Sequence, residues 1–263
     1  MITAYHRPQT LQEALALIGR PTPHTVPLGG GTLLSHASEE AMEVVDLQAL
    51  ALNIITEQGK NLEAGATATL QTLLEHAGCP TALRTALKLE APLNMRNAAT
   101  VAGTLVTCDG RSTLTTVLLA LDAKLSLIRA DGSTGKTTKA KTTSAGSEAE
   151  ALGDFLPLRP AGLITKVTFP LQSKLAFEYV ARTPSDKPIV CAALAQWPSG
   201  RTRLALGGFG AAPRLAMDGT EAEGLQVAAR NALHDATDEW GSAEYRMDVA
   251  ATLAKRCLDS LGE

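Results

Sequence analysis

Aromatic side chains are scarce: Phe, Trp and Tyr together make up 3% of the 263 residues. A core must then be built from Ala, Leu and Val, and platforms for stacking nucleic-acid bases are not to be expected. Charge of one sign is also lacking. Lys and Arg number 24 against 27 Asp and Glu, a net charge of −3 that offers no electrostatic hold on nucleic acid or anionic membrane. No apolar run approaches the roughly 18 residues of a membrane span; the longest, Val117 to Leu121, reads as the core of a helix. The opening residues Met1 to Pro8 contain no apolar signal segment, so a cytoplasmic location is expected. The cysteines Cys79, Cys108, Cys191 and Cys257 are scattered and never form C-x-x-C, which argues for free thiols and against a zinc or iron–sulfur site in this chain.

What is present fits a globular protein of two or three compact units, with 45% hydrophobic and 19% charged residues. Thr10 and Glu13 have capping-box spacing, and Leu11, Ala14, Leu15 and Ile18 share one helical face, predicting a helix that ends near Gly19. Strands are expected at 25–28 and 43–47, giving a small β-α-β unit. A second unit starts near Ile54, with a strand over 61–66, helices over 70–77, 81–89 and 112–122, and a strand over 124–129. Residues 131–150 lack an apolar period and read as an exposed loop. Beyond a strand over 163–169, three strands (176–181, 189–197 and 201–206) suggest an antiparallel sheet with a hairpin at Pro198-Ser199-Gly200. Helices near 221–232 and 244–258 close the chain.

Two segments carry the chemistry. Leu28-Gly29-Gly30-Gly31-Thr32-Leu33-Leu34 is a small-residue bend after an apolar run. About seventy residues on, Asn94 to Thr107 contains a second, Thr100-Val101-Ala102-Gly103-Thr104. Bends of Gly and Thr expose backbone N–H groups without side-chain obstruction, which is what binding a diphosphate needs. Each has a plainer reading: the first as a flexible strand-to-helix turn, the second as an ordinary buried strand. Gly132 to Thr137 imitates a phosphate loop, but position 130 is Ala and no amphipathic helix follows, so ATP binding is not expected. None of the five histidines has metal-ligand spacing; His24 and His36 flank the first bend and read as solvated or satisfied. Arg96 reads as a structural anchor of the second bend.

On these residues the chain resembles the FAD-binding medium subunit of the molybdenum hydroxylases, of the xanthine dehydrogenase and carbon monoxide dehydrogenase type. The resemblance runs nearly end to end. It includes both bends, Leu118 to Ala123, the segment Ala205-Leu206-Gly207-Gly208-Phe209-Gly210-Ala211-Ala212-Pro213, and Gly241-Ser242-Ala243-Glu244-Tyr245-Arg246. It implies an α+β fold: a two-lobed FAD-binding region of PCMH type (1–53 and 54–172), then a C-terminal α+β domain (173–263) with an antiparallel sheet and helices. It implies FAD held by Gly29, Gly30, Gly31, Thr32, Leu33 and Leu34 on one side and Thr100, Val101, Gly103, Thr104 and Thr107 on the other, with Ile164 and Tyr179 bracketing the ring. No catalytic acid, base or nucleophile and no metal ligand are implied.

The implied partners are a large molybdopterin-binding subunit and a small 2Fe-2S subunit, as a dimer of heterotrimers, with NAD, a quinone or oxygen as external acceptor. The chain departs from the family pattern at Leu33 (usually Asp), Thr104 (usually Asn), Thr113 (usually Asp, a role for which Asp109 is the nearby substitute) and Tyr179 (often Lys). Two other readings follow from these departures and from the wider family: a structural subunit that has lost FAD, and a stand-alone flavin oxidase.

Overall fold

The computed structural model describes residues 1–36, 39–129 and 148–262. The phosphate-loop imitation at 132–137 and most of the loop expected over 131–150 lie outside them, while residues 148–150 belong to a strand.

The first unit contains β1 (Ile2–His6), α1 (Leu11–Ile18), β2 (Thr25–Leu28) and β3 (Met42–Asp46). The capping box forms as its spacing predicts: Thr10 Oγ1 accepts from the Glu13 amide, and the Glu13 carboxylate reaches back to the Thr10 amide. The sheet order is β1-β3-β2, with β3 parallel to both neighbours. The strand β1 was not expected. Ile2 and Tyr5 on it are exposed, so no alternating apolar pattern marks it.

The second unit is a five-stranded sheet ordered β4-β5-β8-β6-β7. It is made from β4 (Ile55–Gln58), β5 (Asn61–Gly65), β6 (Lys124–Ile128), β7 (Glu148–Ala151) and β8 (Leu163–Pro170). Its helices are α2 (Leu70–Glu75), α3 (Thr81–Glu90), α4 (Leu93–Arg96), α5 (Val101–Thr107), α6 (Thr113–Ala120) and α7 (Leu152–Leu158). Every residue of α6 is buried, its threonines included. Thr116 Oγ1 donates to Ser112 O at 2.7 Å and Thr113 Oγ1 to Ala86 O at 2.7 Å, so the hydroxyls enter the core satisfied.

The third unit is an antiparallel sheet ordered β12-β11-β10-β9, formed by β9 (Lys174–Val180), β10 (Val190–Gln196), β11 (Thr202–Gly207) and β12 (Arg214–Gly219). Leu194, Leu204 and Leu206 face α8 (Leu225–Ala232) and α9 (Ala243–Gly262). Ala193, Ala195 and Ala205 face the second unit and share its core. The small aromatic inventory is matched by this Ala- and Leu-rich packing. β12, unexpected from sequence, completes the sheet.

The Gly207-Gly208-Phe209-Gly210 segment acts as a clamp between the last two units. Gly208 N donates to Gly110 O at 2.6 Å and Gly110 N to Gly210 O at 2.7 Å. A side chain on Gly110 would put its Cβ 1.9 Å from Phe209 O, so only glycine lets these backbones meet.

Candidate functional site

The strands β2 and β3 are parallel and end side by side, Leu28 opposite Asp46. Open parallel sheets bind ligands beyond the carboxyl ends of their strands, and the first glycine bend leaves from that end. There it meets the second unit. A Cβ on Gly30 would lie 1.7 Å from Ala98 O, and one on Gly29 would lie 2.8 Å from Thr100 Oγ1. The glycines are therefore needed for close approach as well as for open N–H groups. Among the described residues, the amides of Gly29, Gly30, Gly31 and Thr32 donate to no protein acceptor.

The second segment differs from both readings of it. It is neither a bend after a strand nor a buried strand, but the helix α5, which follows the short helix α4. Thr100 is its N-cap: Thr100 Oγ1 accepts from Gly103 N at 3.2 Å. Val101 N donates to Ala68 O at 2.9 Å, Ala102 N to Ala66 O at 3.1 Å, and Thr104 N to Thr100 O at 2.9 Å. The first donors of the helix are thus all engaged inside the protein. The misreading has a physical cause. Val, Thr and Gly are poor helix formers, and here the cap and the Ala66–Ala68 carbonyls override propensity.

Between the two segments lies a cleft of about 500 Å³. It collects Gly29, Gly30 and Thr100 of the predicted residues, together with Gln48, Asn53, Thr67, Thr69, Asn97 and Ala98, which sequence reasoning missed. Thr69 caps α2, accepting from Thr72 N at 3.1 Å. Gln48 follows β3, and Asn53 and Asn97 sit in connections; isolated carboxamides in loops carry no sequence signal.

The other predicted residues lie elsewhere. Thr32, Leu33 and Leu34 continue the first bend, with Leu33 exposed. Val101 is buried in the core of the second unit. The hydroxyls of Thr104 and Thr107 donate back to Thr100 O and Gly103 O, both at 2.9 Å. Ile164 on β8 is packed into the core. Tyr179 on β9 is half-buried and stacked on Phe177, ring centroids 6.1 Å apart. Asp109 pairs with Lys187 at 3.0 Å and caps Arg111 N at 2.9 Å. The carboxylate near Thr113 is that of Glu90 instead: Glu90 Oε2 accepts from Ser112 Oγ at 2.9 Å, Thr113 Oγ1 at 3.1 Å and Leu114 N at 2.9 Å. Arg96 anchors the segment before α5, donating to Gln71 Oε1 at 2.9 Å and Ala91 O at 2.7 Å.

Among the described residues no group of three His, Cys, Asp or Glu side chains is placed to hold a metal ion. Burial pushes the Cys79 thiol up to about 11 and those of Cys191 and Cys257 to about 12, and it raises Cys108 as well. With almost no thiolate present, the folded protein should resist iodoacetamide at about pH 8. The check is mass spectrometry before and after denaturation: all four cysteines labelled only in denaturant is the expected result.

A bend with unspent amides thus opens on a polar cleft between two mixed α/β units. Residues 1–172 match the family described as FAD binding domain in molybdopterin dehydrogenase, and the chain belongs to that family. FAD is its cofactor, and the free amides of Gly29 to Thr32 fit the diphosphate of that group. The uncharacterized protein YgfM of Escherichia coli strain K12 is 26% identical over 261 residues, covering 96% of this chain and 94% of YgfM.

The fold also matches a chain of cyanide-inactivated Cu,Mo-CO dehydrogenase, with TM-score 0.78, 22% identity and 98% of each chain covered. A chain of quinoline 2-oxidoreductase from Pseudomonas putida 86 gives TM-score 0.75 at 20% identity, covering 98% of this chain and 96% of that one. The expected α+β fold thus holds over nearly the whole length, including the unit beyond residue 172. No helix among the described residues is long and apolar enough to cross a membrane.

Proposed function

We propose that this chain is the electron-transfer flavoprotein subunit of a molybdenum-containing hydroxylase or dehydrogenase. In that assembly a large molybdopterin-binding subunit oxidises the substrate and a small 2Fe-2S subunit delivers the electrons. Bound FAD supplies the redox chemistry, taking electrons from the iron–sulfur partner and yielding them to NAD, a quinone or oxygen. The chain's own residues bind, position and exclude solvent. Residues 1–53 and 54–172 act as the two cofactor lobes, and 173–263 form the C-terminal domain. The complex is a cytoplasmic dimer of heterotrimers.

The observation that carries this reading is the set of unspent amides at Gly29 to Thr32, held at the end of parallel strands against Ala98. Backbone N–H groups left without a protein acceptor can hold a diphosphate without a cationic side chain. Tyr179, half-buried on the side of β9 toward the second unit, is the ring-side group of this reading; Ile164 supports the core behind it.

A structural subunit without FAD is the second reading, favoured by two observations: the α5 amides are spent internally, and Leu33 stands where an acidic side chain is usual. Nothing in the site favours a stand-alone oxidase.

The test is to add FAD to the purified full chain, desalt it, and record the absorption spectrum. Retention of about one flavin per chain, with its two-banded spectrum, is expected. A colourless protein after saturating FAD would overturn the assignment in favour of the second reading. Purification from the native host, with metal and subunit analysis, tests the partners.

A further inference from the structure

A carboxylate is buried behind the first glycine bend. Asp46 ends β3 with only 2% of its surface exposed, and its chain neighbours Val45 and Leu47 belong to the apolar core shared with α1. Taking a carboxylate out of water is costly unless other donors replace the water. Stability alone does not call for such a group, since well-packed apolar residues often replace buried ionic ones without loss. The donors that Asp46 collects come from separate segments. Oδ1 accepts from Gln48 N at 2.9 Å, Oδ2 accepts from the Tyr5 hydroxyl, and Arg7 Nε lies 3.7 Å from Oδ2. One side chain thus joins β1 and β3 to the turn that carries Gln48 into the cleft wall.

Asp46 is also the register partner of Leu28, the last strand residue before the bend, and Leu47 N donates to Leu28 O at 3.2 Å. Tyr5 is in register with Val44, so Tyr5, Asp46 and Leu28 share one face of the sheet. The bend folds back over Leu28: a Cβ on Gly31, whose φ is 68°, would lie 3.3 Å from Leu28 Cδ1. The unspent amides of Gly29 to Thr32 therefore rest on a strand end whose neighbour is fixed by the Asp46 carboxylate. Donors held in place before a ligand arrives lose little entropy when it binds.

We infer that Asp46 is a positioning residue for the cofactor, its carboxylate tying Tyr5 and the Gln48 turn together so that the Gly29–Thr32 amides keep their aim. It acts through the bend, not by contact with FAD. The inference rests on the proposed FAD-binding role and deepens it by naming what holds the bend. It makes the hydrogen bonds of Asp46 matter more than its charge. Asparagine at this position keeps an acceptor for Gln48 N and turns a donor toward the Tyr5 oxygen, which can accept. Alanine keeps neither.

Titration of the full chain with FAD, followed by fluorescence and set beside a thermal melt of each variant, tests this. Asp46→Ala should weaken FAD about ten-fold or more, Tyr5→Phe about three- to ten-fold, and Asp46→Asn less than about three-fold. Arg246→Leu, which breaks a buried ion pair in the third unit, is the comparison: it should lower the melting midpoint and leave FAD affinity as it is. A merely structural Asp46 would behave like Arg246, with a lower midpoint and an unchanged affinity in the protein that remains folded. That result, or an Asp46→Asn loss as large as that of Asp46→Ala, would overturn the inference and leave the flavoprotein role intact. An unaltered chain that fails to bind FAD would sink both. Tyr5 is 58% exposed, so Tyr5→Phe removes one donor without emptying the core and decides the matter even where Asp46→Ala fails to fold.

Discussion

Replacing Arg246 by leucine is expected to lower the thermal midpoint by roughly 6–20 °C, the change that corresponds to about 3–5 kcal/mol for breaking a buried ion pair in a chain of this size. The guanidinium is 0% exposed. Nη2 donates to Asp238 Oδ1 at 2.6 Å, Nη1 to Ala236 O at 2.6 Å and Gly241 O at 2.9 Å, and Nε to Ile189 O at 3.3 Å. Its carbon lies 5.4 Å from the centroid of the Phe209 ring. Leucine fills part of the space but leaves three carbonyls and a carboxylate without their donor.

The effect depends on pH with a definite sign. Burial works against the charge on Asp238, yet the Arg246 hydrogen bond and nearby amides outweigh it and hold the carboxyl below its ordinary value. A depressed folded-state pKa gives stability that is present above the unfolded value and lost as pH falls through the folded one. The gap between the native protein and the variant should therefore narrow below about pH 4. Melts by circular dichroism across pH check both statements. A midpoint unchanged near neutrality would show that this cluster does not hold the C-terminal unit together.

Legibility differed from place to place for physical reasons. Where a local rule coincides with the tertiary role, as for the Thr10–Glu13 capping box and the apolar face of α1, the sequence reads directly. The buried strands β10 and β11 are equally plain, being apolar runs on either side of a Pro-Ser-Gly turn. The edge strands β1, β4 and β12 are half in solvent and were missed, because edge positions need no continuous apolar pattern. α5 was misread because its residues suit a strand, while a cap and two carbonyls from a distant segment make it a helix. The Gly207–Gly210 segment was visible as a family signature, but its purpose, gripping the Gly110 loop, needs both backbones at once. Of the candidate site, the first bend was legible because glycine runs are rare. The carboxamides facing it were not, since Gln48 and Asn53 come from the β3–β4 connection and Asn97 from the end of α4, about fifty residues further on.

Gly30→Ala should have the larger consequence for the cofactor. The added carbon would sit 1.7 Å from Ala98 O, a backbone atom that cannot rotate away. Either the bend or the Asn97–Ala98 segment must move, at a cost of about 1–3 kcal/mol by analogy with overpacked cores. Because the two walls of the cleft are those two segments, that cost falls on the bound geometry, and FAD affinity should drop roughly 5- to 150-fold. Gly59→Ala is the comparison. Gly59 has a φ of 61° but no atom within 4 Å of its would-be side chain. It should lose about 1 kcal/mol of stability through backbone strain and leave FAD affinity unchanged. Fluorescence titration with FAD, beside a melt of each variant, separates the two effects. If Gly30→Ala binds FAD as well as the unaltered chain does, the contact between the bend and Ala98 is not what shapes the cofactor site. The diphosphate would then be held by the bend alone, without help from the Asn97–Ala98 wall.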